Sequence, residues 1–205
     1  MRTPVRLVVV AIAAIVAAHL GDHWAWMHLV KPGIYDHDFG RMLRTVGYLP
    51  IWLVLALGLW LQTGDRRRAL LLGLVPTAGG GLCAVLQVVI RRERPGLHQG
   101  HYFFRPFTDR LLHGAEFGLP SSHAMVAFSA AWLLCRIYPR AWPVWLALAA
   151  ACALSRVAAQ AHFLSDVTVG AVAAYFLVAV VWNRFPPHVP SSWHARERRI
   201  SGHLD

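Results

Sequence analysis

The sequence predicts an all-α fold: an integral membrane six-helix bundle with its polar groups gathered at helix ends on one side. Three observations carry this expectation. Hydrophobic residues make up 57% of the 205 residues and charged ones only 15%, with a mean hydropathy of +0.45, which soluble domains of this length seldom show. The apolar residues fall in long runs, and about 20 such residues cross a bilayer as a helix. The net charge of +10 is almost all arginine, Lys31 being the only lysine, and the arginines cluster between the runs. A basic soluble face would suggest nucleic acid, but arginines that punctuate apolar runs mark membrane topology, so no nucleic-acid partner is expected.

The first run, Val5 to Leu20, follows Arg2 and includes Arg6. A basic start and small residues near Ala17 and Ala18 would also suit a cleaved signal peptide. A first helix ending at Gly21–Asp22 is preferred, because the later runs complete a consistent six-span topology with it. Residues 22–46 are polar and aromatic, with Asp36, Asp38, Arg41 and Arg44, and read as a segment lying along the bilayer surface.

The second span is expected from Tyr48 to Leu61, closed by Gly64-Asp65-Arg66-Arg67-Arg68, and the third from Ala69 to Ile90. Gly79-Gly80-Gly81 in the third would let another helix approach closely. A long polar connection over 91–120 follows. The fourth span opens after Pro120 and ends near Arg136–Arg140. The fifth runs from Trp142 to Ala161 and the sixth from Val167 to Trp182. Residues 1–183 thus form one domain with its core over 48–183, and residues 184–205 form a basic, proline-containing tail. Cys83, Cys135 and Cys152 all fall in apolar runs and read as small buried residues, not as a disulfide set or a zinc site.

With six spans, one side receives Arg2, Arg6, Arg66 to Arg68, Arg136, Arg140 and the tail arginines 184, 196, 198 and 199. The positive-inside rule makes that side, and the tail, cytoplasmic. Residues 22–46, 91–120 and 156–166 share the other side, expected to be the periplasmic or outer face of a bacterial inner (plasma) membrane.

Three stretches on that side carry chemistry. Ser155 to Asp166 places Ser155, Arg156, His162, Ser165 and Asp166 between two apolar runs, where ionisable groups are costly and usually functional or paired. His162 and Asp166 are four apart, so one helical turn would set a carboxylate beside an imidazole. A structural ion pair at a helix end is the plain alternative. Arg91-Arg92-Glu93-Arg94-Pro95 ends the third span. Interface anchors favour the opposite face, so anion binding is the better reading. Pro120-Ser121-Ser122-His123 opens the fourth span, with Ser121 a natural N-cap. A helix N-terminus also offers free N–H groups and a positive dipole end to a phosphate. Together these supply arginines, N–H donors and two histidines, a set suited to phosphoryl transfer without a metal.

These stretches resemble the motifs of the type-2 phosphatidic acid phosphatases, the membrane branch of the superfamily that includes vanadium haloperoxidases. That family carries Lys-x6-Arg-Pro, then Pro-Ser-Gly-His, then Ser-Arg-x5-His-x3-Asp. Here the third block is complete, from Ser155–Arg156 through His162 to Asp166. The second is Pro120-Ser121-Ser122-His123, with serine in place of the commoner glycine. The first keeps Arg94–Pro95 but has Gln87 in the lysine position. The resemblance implies His162 as a nucleophile forming a phosphohistidine, Asp166 as its orienting carboxylate and His123 as general acid. It also implies Arg94, Arg156 and the Ser121–Ser122–His123 backbone as phosphate ligands, with no metal or other cofactor. Gln87 leaves one phosphate contact in doubt, and Arg91, four residues on, could bring a charge to the same oxygens if the third helix is continuous.

The expected activity is hydrolysis of a lipid phosphate or isoprenoid diphosphate at the outer face. A weakened relative that binds phospholipid, motivated by Gln87, is the alternative. A transporter is a further one, although mid-span positions carry almost no charge. His98, His101 and His113 match no tight zinc spacing. Phe103, Phe104 and Phe107 with Arg105 suit either contact with a lipid tail and headgroup or ordinary packing of a loop over the site.

Overall fold

The structure is a computed structural model that describes residues 2–109 and 116–185. His113 and the tail residues 186–205, with their three arginines, therefore lie outside the described residues. Seven α-helices are described: α1 (Arg2–Leu29), α2 (Asp38–Thr45), α3 (Leu49–Thr63), α4 (Arg66–Ile90), α5 (Ser122–Ile137), α6 (Trp142–Ala158) and α7 (Leu164–Arg184). The apolar runs fix α3 to α7 to within a few residues of expectation. Gly64, at φ +68°, closes α3, and Asp65 then caps α4 by accepting from the Arg68 N–H at 3.0 Å. That two-residue turn makes α3 and α4 a hairpin.

The first helix departs from expectation. It runs through Gly21–Asp22 to Leu29, because Asp22 is buried and its carboxylate is answered within the bundle. It accepts from the Ser165 N–H at 2.7 Å, and from the hydroxyls of Ser165 and Tyr102. A charged residue so satisfied no longer marks a helix end. The surface segment therefore shrinks to the stretch after Leu29, with a 3-10 turn at Ile34–Asp36 and the short helix α2.

The six-span expectation is met in part. Four helices are long and apolar enough to cross a membrane: α1, α4, α6 with the turn before it, and α7. The pair α2 and α3, bent by 65°, would add a fifth, and α5 is apolar but only 16 residues long. α5 is nonetheless the centre of the fold, packed against α4, α6 and α7. Small residues let the helices close around it: Ala124, Ala127 and Ala131 meet Ala149, Cys152 and Ala153 of α6. Gly79 of α4 crosses it so closely that an added Cβ would lie 2.4 Å from Ser129 Oγ, whereas Gly81 faces open space. Outward-facing Val8, Ile12, Val54, Leu74, Val85, Val89 and Val180 are exposed along the other helices. Apolar surface of that extent has its partner in lipid, and the chain is an integral membrane protein.

At one end the connections knit together. The Lys31 N–H donates to Ala158 O, Gly96 N–H to Gln160 O, Gly118 N–H to Arg92 O and Ser121 N–H to Asp166 O, all at 2.7–3.1 Å. The 31–47, 91–120 and 156–166 segments thus share one end, and the candidate residues lie where they meet.

Candidate active site

His162 does not sit on a helix with Asp166. It lies in the turn before α7, while Asp166 is in the first turn of α7. The imidazole is buried, and its Nδ1–H donates to the Gly118 carbonyl at 2.9 Å. Because a carbonyl only accepts, this contact fixes the tautomer and leaves the Nε2 lone pair free. Nε2 is buried and has no hydrogen-bond partner. Asp166 stands further away, its Oδ2 3.6 Å from Nδ1. Its oxygens are already engaged, Oδ2 by the Phe163 N–H at 2.7 Å and Oδ1 by Arg92. The spacing of four thus brings the pair near each other, but a backbone carbonyl 44 residues away holds the ring. Burial keeps His162 below the usual histidine pKa, and Asp166 partly offsets this.

Gly118 is closely packed at this point. An added Cβ would come within 3.0 Å of Asp166 Oδ2 and 3.4 Å of the Arg94 Cα. Sequence reasoning missed it, since a glycine two residues before a proline reads as an ordinary turn. Arg92 was also missed as an individual. Its buried guanidinium binds Asp166 and, at 2.7 Å, Ser165 Oγ, and it lies over the Tyr102 and Phe163 rings. Ser165 continues to Asp22, so α1, α7 and the 91–120 connection share one buried polar chain. Burial, then the bond to Asp22, pushes the Tyr102 hydroxyl up to about 12, so it stays a donor. An aspartate next to an apolar run was the available signal for this chain.

Ser121 caps α5 as the Pro–Ser pattern predicts, its Oγ facing the Ala124 N–H at 3.5 Å. Ser122 and His123 follow in the first turn, both partly exposed. Arg94 reaches the Phe117 carbonyl at 3.5 Å. Its pKa is lowered, first by burial and then by Arg156, with Arg44 adding to the effect and Asp166 opposing it. Arg156 donates to the Tyr35 hydroxyl at 3.1 Å, and that hydroxyl donates to Ser155 O at 3.0 Å. Its Nε is buried without a partner. The structure therefore gathers His162, His123, Arg94 and Arg156 with the N-terminus of α5, and adds Tyr35.

The remaining candidates are placed differently. Gln87 is buried and donates to the Pro120 carbonyl at 2.8 Å, beside the Cys83 thiol, so it braces the start of α5. Arg91 ends α4 in the left-handed region at φ 58°. Its guanidinium donates to the carbonyls of Arg105, Pro106 and Asp109. The helix does not continue as a shared Gln87–Arg91 face, and the geometry favours a loop-holding role for Arg91 over a phosphate contact. Arg105 pairs with Glu93 and Glu116, and His98 donates to Glu93 and stacks on Phe103. The loop packing these residues suggested is thus present, and Arg105 is committed to it. Cys83, Cys135 and Cys152 are free thiols.

The family model described as the PAP2 superfamily matches residues 68–189. Among solved structures, the chain is similar to a transmembrane PAP2-type phosphatidylglycerolphosphate phosphatase from Bacillus subtilis. The two share 23% identity and a TM-score of 0.63 over 89% of this chain and 96% of that one, a likeness of fold. No curated protein matches the sequence.

Proposed function

Since the chain belongs to the PAP2 superfamily, we propose that it is a metal-independent membrane phosphatase acting on a lipid phosphate or isoprenoid diphosphate. The observation that carries this reading is the unpartnered, buried Nε2 of His162, with its lone pair set by the Nδ1–H bond to Gly118. Nε2 attacks phosphorus and the bond to the leaving oxygen breaks. His123 gives that oxygen its proton. The lipid alcohol departs from a monoester, or the isoprenoid monophosphate from a diphosphate, and the phosphoryl group stays on His162. His123, now neutral, takes a proton from water, whose oxygen attacks phosphorus and releases phosphate. His123 lies close to Arg156, Arg44 and His162, and the negative charge of a phosphate bound among them favours the proton that His123 must carry as acid.

Throughout, Arg94, Arg156 and the free N–H groups at the start of α5 hold the non-bridging oxygens, where charge develops. Asp166 supports the site by its negative charge and by fixing the turn that carries His162. Arg66 to Arg68, Arg136, Arg140 and Arg184 cap helix ends opposite the site. By the positive-inside rule this supports a site at the outer face.

Purified protein should release phosphate from one or more of phosphatidic acid, phosphatidylglycerol phosphate, undecaprenyl diphosphate and lipid A, with EDTA present. Retention of bound lipid without turnover would instead favour the binding-only relative. In a background without the native cysteines, Gln99→Cys should react with an impermeant thiol reagent in intact cells and Asp65→Cys should not. The reverse pattern would overturn the orientation.

A further inference from the structure

We propose that Arg44 is a third ligand of the reacting phosphate and supplies the positive charge that Gln87 does not. The inference rests on the phosphatase reading and adds to it a residue that no motif contains.

The backbone that carries Arg44 is held against the site. α2 packs on α6, and the turn that follows α2 presses on His123. A Cβ at Gly47 would lie 2.7 Å from the Cβ and the carbonyl oxygen of His123, and 2.9 Å from Cys152 Sγ. The guanidinium is placed by Tyr35. Arg44 Cζ lies 5.3 Å from the Tyr35 ring centroid and Arg156 Cζ lies 5.5 Å from the same centroid. One aromatic ring thus gathers two guanidinium groups, and Arg94 senses the charge of both.

Arg41, one turn earlier, shows the usual alternative, since it pairs with Asp38 and the carbonyls of Tyr35 and Asp36. Among the described residues, no carboxylate lies within ion-pair distance of Arg44, Arg94 or Arg156. Asp166 is the nearby negative charge, and Arg92 already answers it. Arg156 is buried, Arg94 half-buried and Arg44 exposed at the edge of the group; like charges so gathered repel one another, and the cation–π contacts offset only part of that. A phosphate bearing two negative charges offsets the rest. The Gln87 amide is neutral and turned to Pro120 O, so it adds no charge.

The shared chemistry is a phosphate oxyanion, which could be the reacting group or a bystander headgroup of the bilayer. Two measurements separate these: kcat/KM on the lipid that wild type cleaves best, and inhibition by inorganic phosphate with that lipid in detergent. Loss of a charge-assisted contact in Arg44→Ala should lower kcat/KM by about 10- to 100-fold and weaken phosphate inhibition. Arg44→Lys should retain part of both, and Gln87→Lys should partly restore Arg44→Ala. A purely structural Arg44 would not be rescued from another helix. Unchanged inhibition with weaker lipid binding would assign Arg44 to a headgroup and overturn the inference, as would kcat/KM within twofold of wild type. If wild type cleaves none of the lipids, the phosphatase reading fails. Stabilisation against thermal unfolding by inorganic phosphate, compared in wild type, Arg44→Ala and Arg44→Lys, then decides the Arg44 site alone. Equal stabilisation in all three overturns it.

Discussion

Two groups of arginines lie within a few turns of His162, and the protein treats them oppositely. Arg91, Arg92 and Arg105 are engaged: Arg92 by Asp166 and Ser165, Arg105 by Glu93 and Glu116, Arg91 by three loop carbonyls. Arg44, Arg94 and Arg156 meet a ring, a hydroxyl and a carbonyl, but no carboxylate. Buried charge that is answered within the chain is scaffold, and removing one partner leaves the other stranded. Positive charge gathered without an answer is a site for an anion brought from outside. The first group therefore bears on stability, the second on binding and rate.

His162, between the two groups, gives the largest expected effect. His162→Ala should bring phosphate release below detection, and wild type quenched during turnover should hold an acid-labile phosphohistidine that the variant lacks. Full activity of the variant would remove the nucleophile from the scheme.

The next test sets the groups against each other. Arg92→Ala leaves Asp166 buried without its arginine partner, and should cost about 3–5 kcal/mol of stability, read as a large fall in the thermal midpoint. Arg156→Ala should lower kcat/KM by about 30- to 150-fold with a much smaller shift in that midpoint. If the two variants behave alike, the division is wrong.

The pH profile sharpens the centre. On the proposed scheme His162 attacks only when neutral, and burial holds its pKa below the ordinary value of about 6.5. As pH falls, kcat/KM should therefore decline only below that value. Asp166 pulls the pKa upward, so Asp166→Asn should move the acid limb to still lower pH, besides reducing the rate. A limb above 6.5, or an upward shift in the variant, would contradict the assignment. The smallest effect is expected at Arg91. Arg91→Ala should change kcat/KM by less than about threefold while raising proteolysis within residues 105–109, because its donors hold that loop.

The helices were legible wherever an apolar run ended in a local signal. Pro120–Ser121 announces the cap of α5, and Gly64–Asp65 announces the turn into α4. The motif residues were legible from residue type and spacing together with the family resemblance. What spacing could not convey is how each is held. His162 is fixed by Gly118, 44 residues away, and Asp22 by Ser165, 143 residues away. Helical periodicity suggested that Gln87 and Arg91 share a face, but the left-handed turn at Arg91 ends that face. Arg44 and Tyr35 carry no motif at all, and only the folding of residues 34–45 onto α6 brings them to Arg156.

The Asp22–Ser165 contact also bears on how the protein is made. α1 is synthesised before Tyr102 and Ser165, the residues that answer its Asp22 carboxylate. The Asp22 carboxylate is therefore fully answered only once α7 is in place. Asp22 then meets Ser165, three residues after His162, so the contact that seats α1 also braces the turn that carries His162.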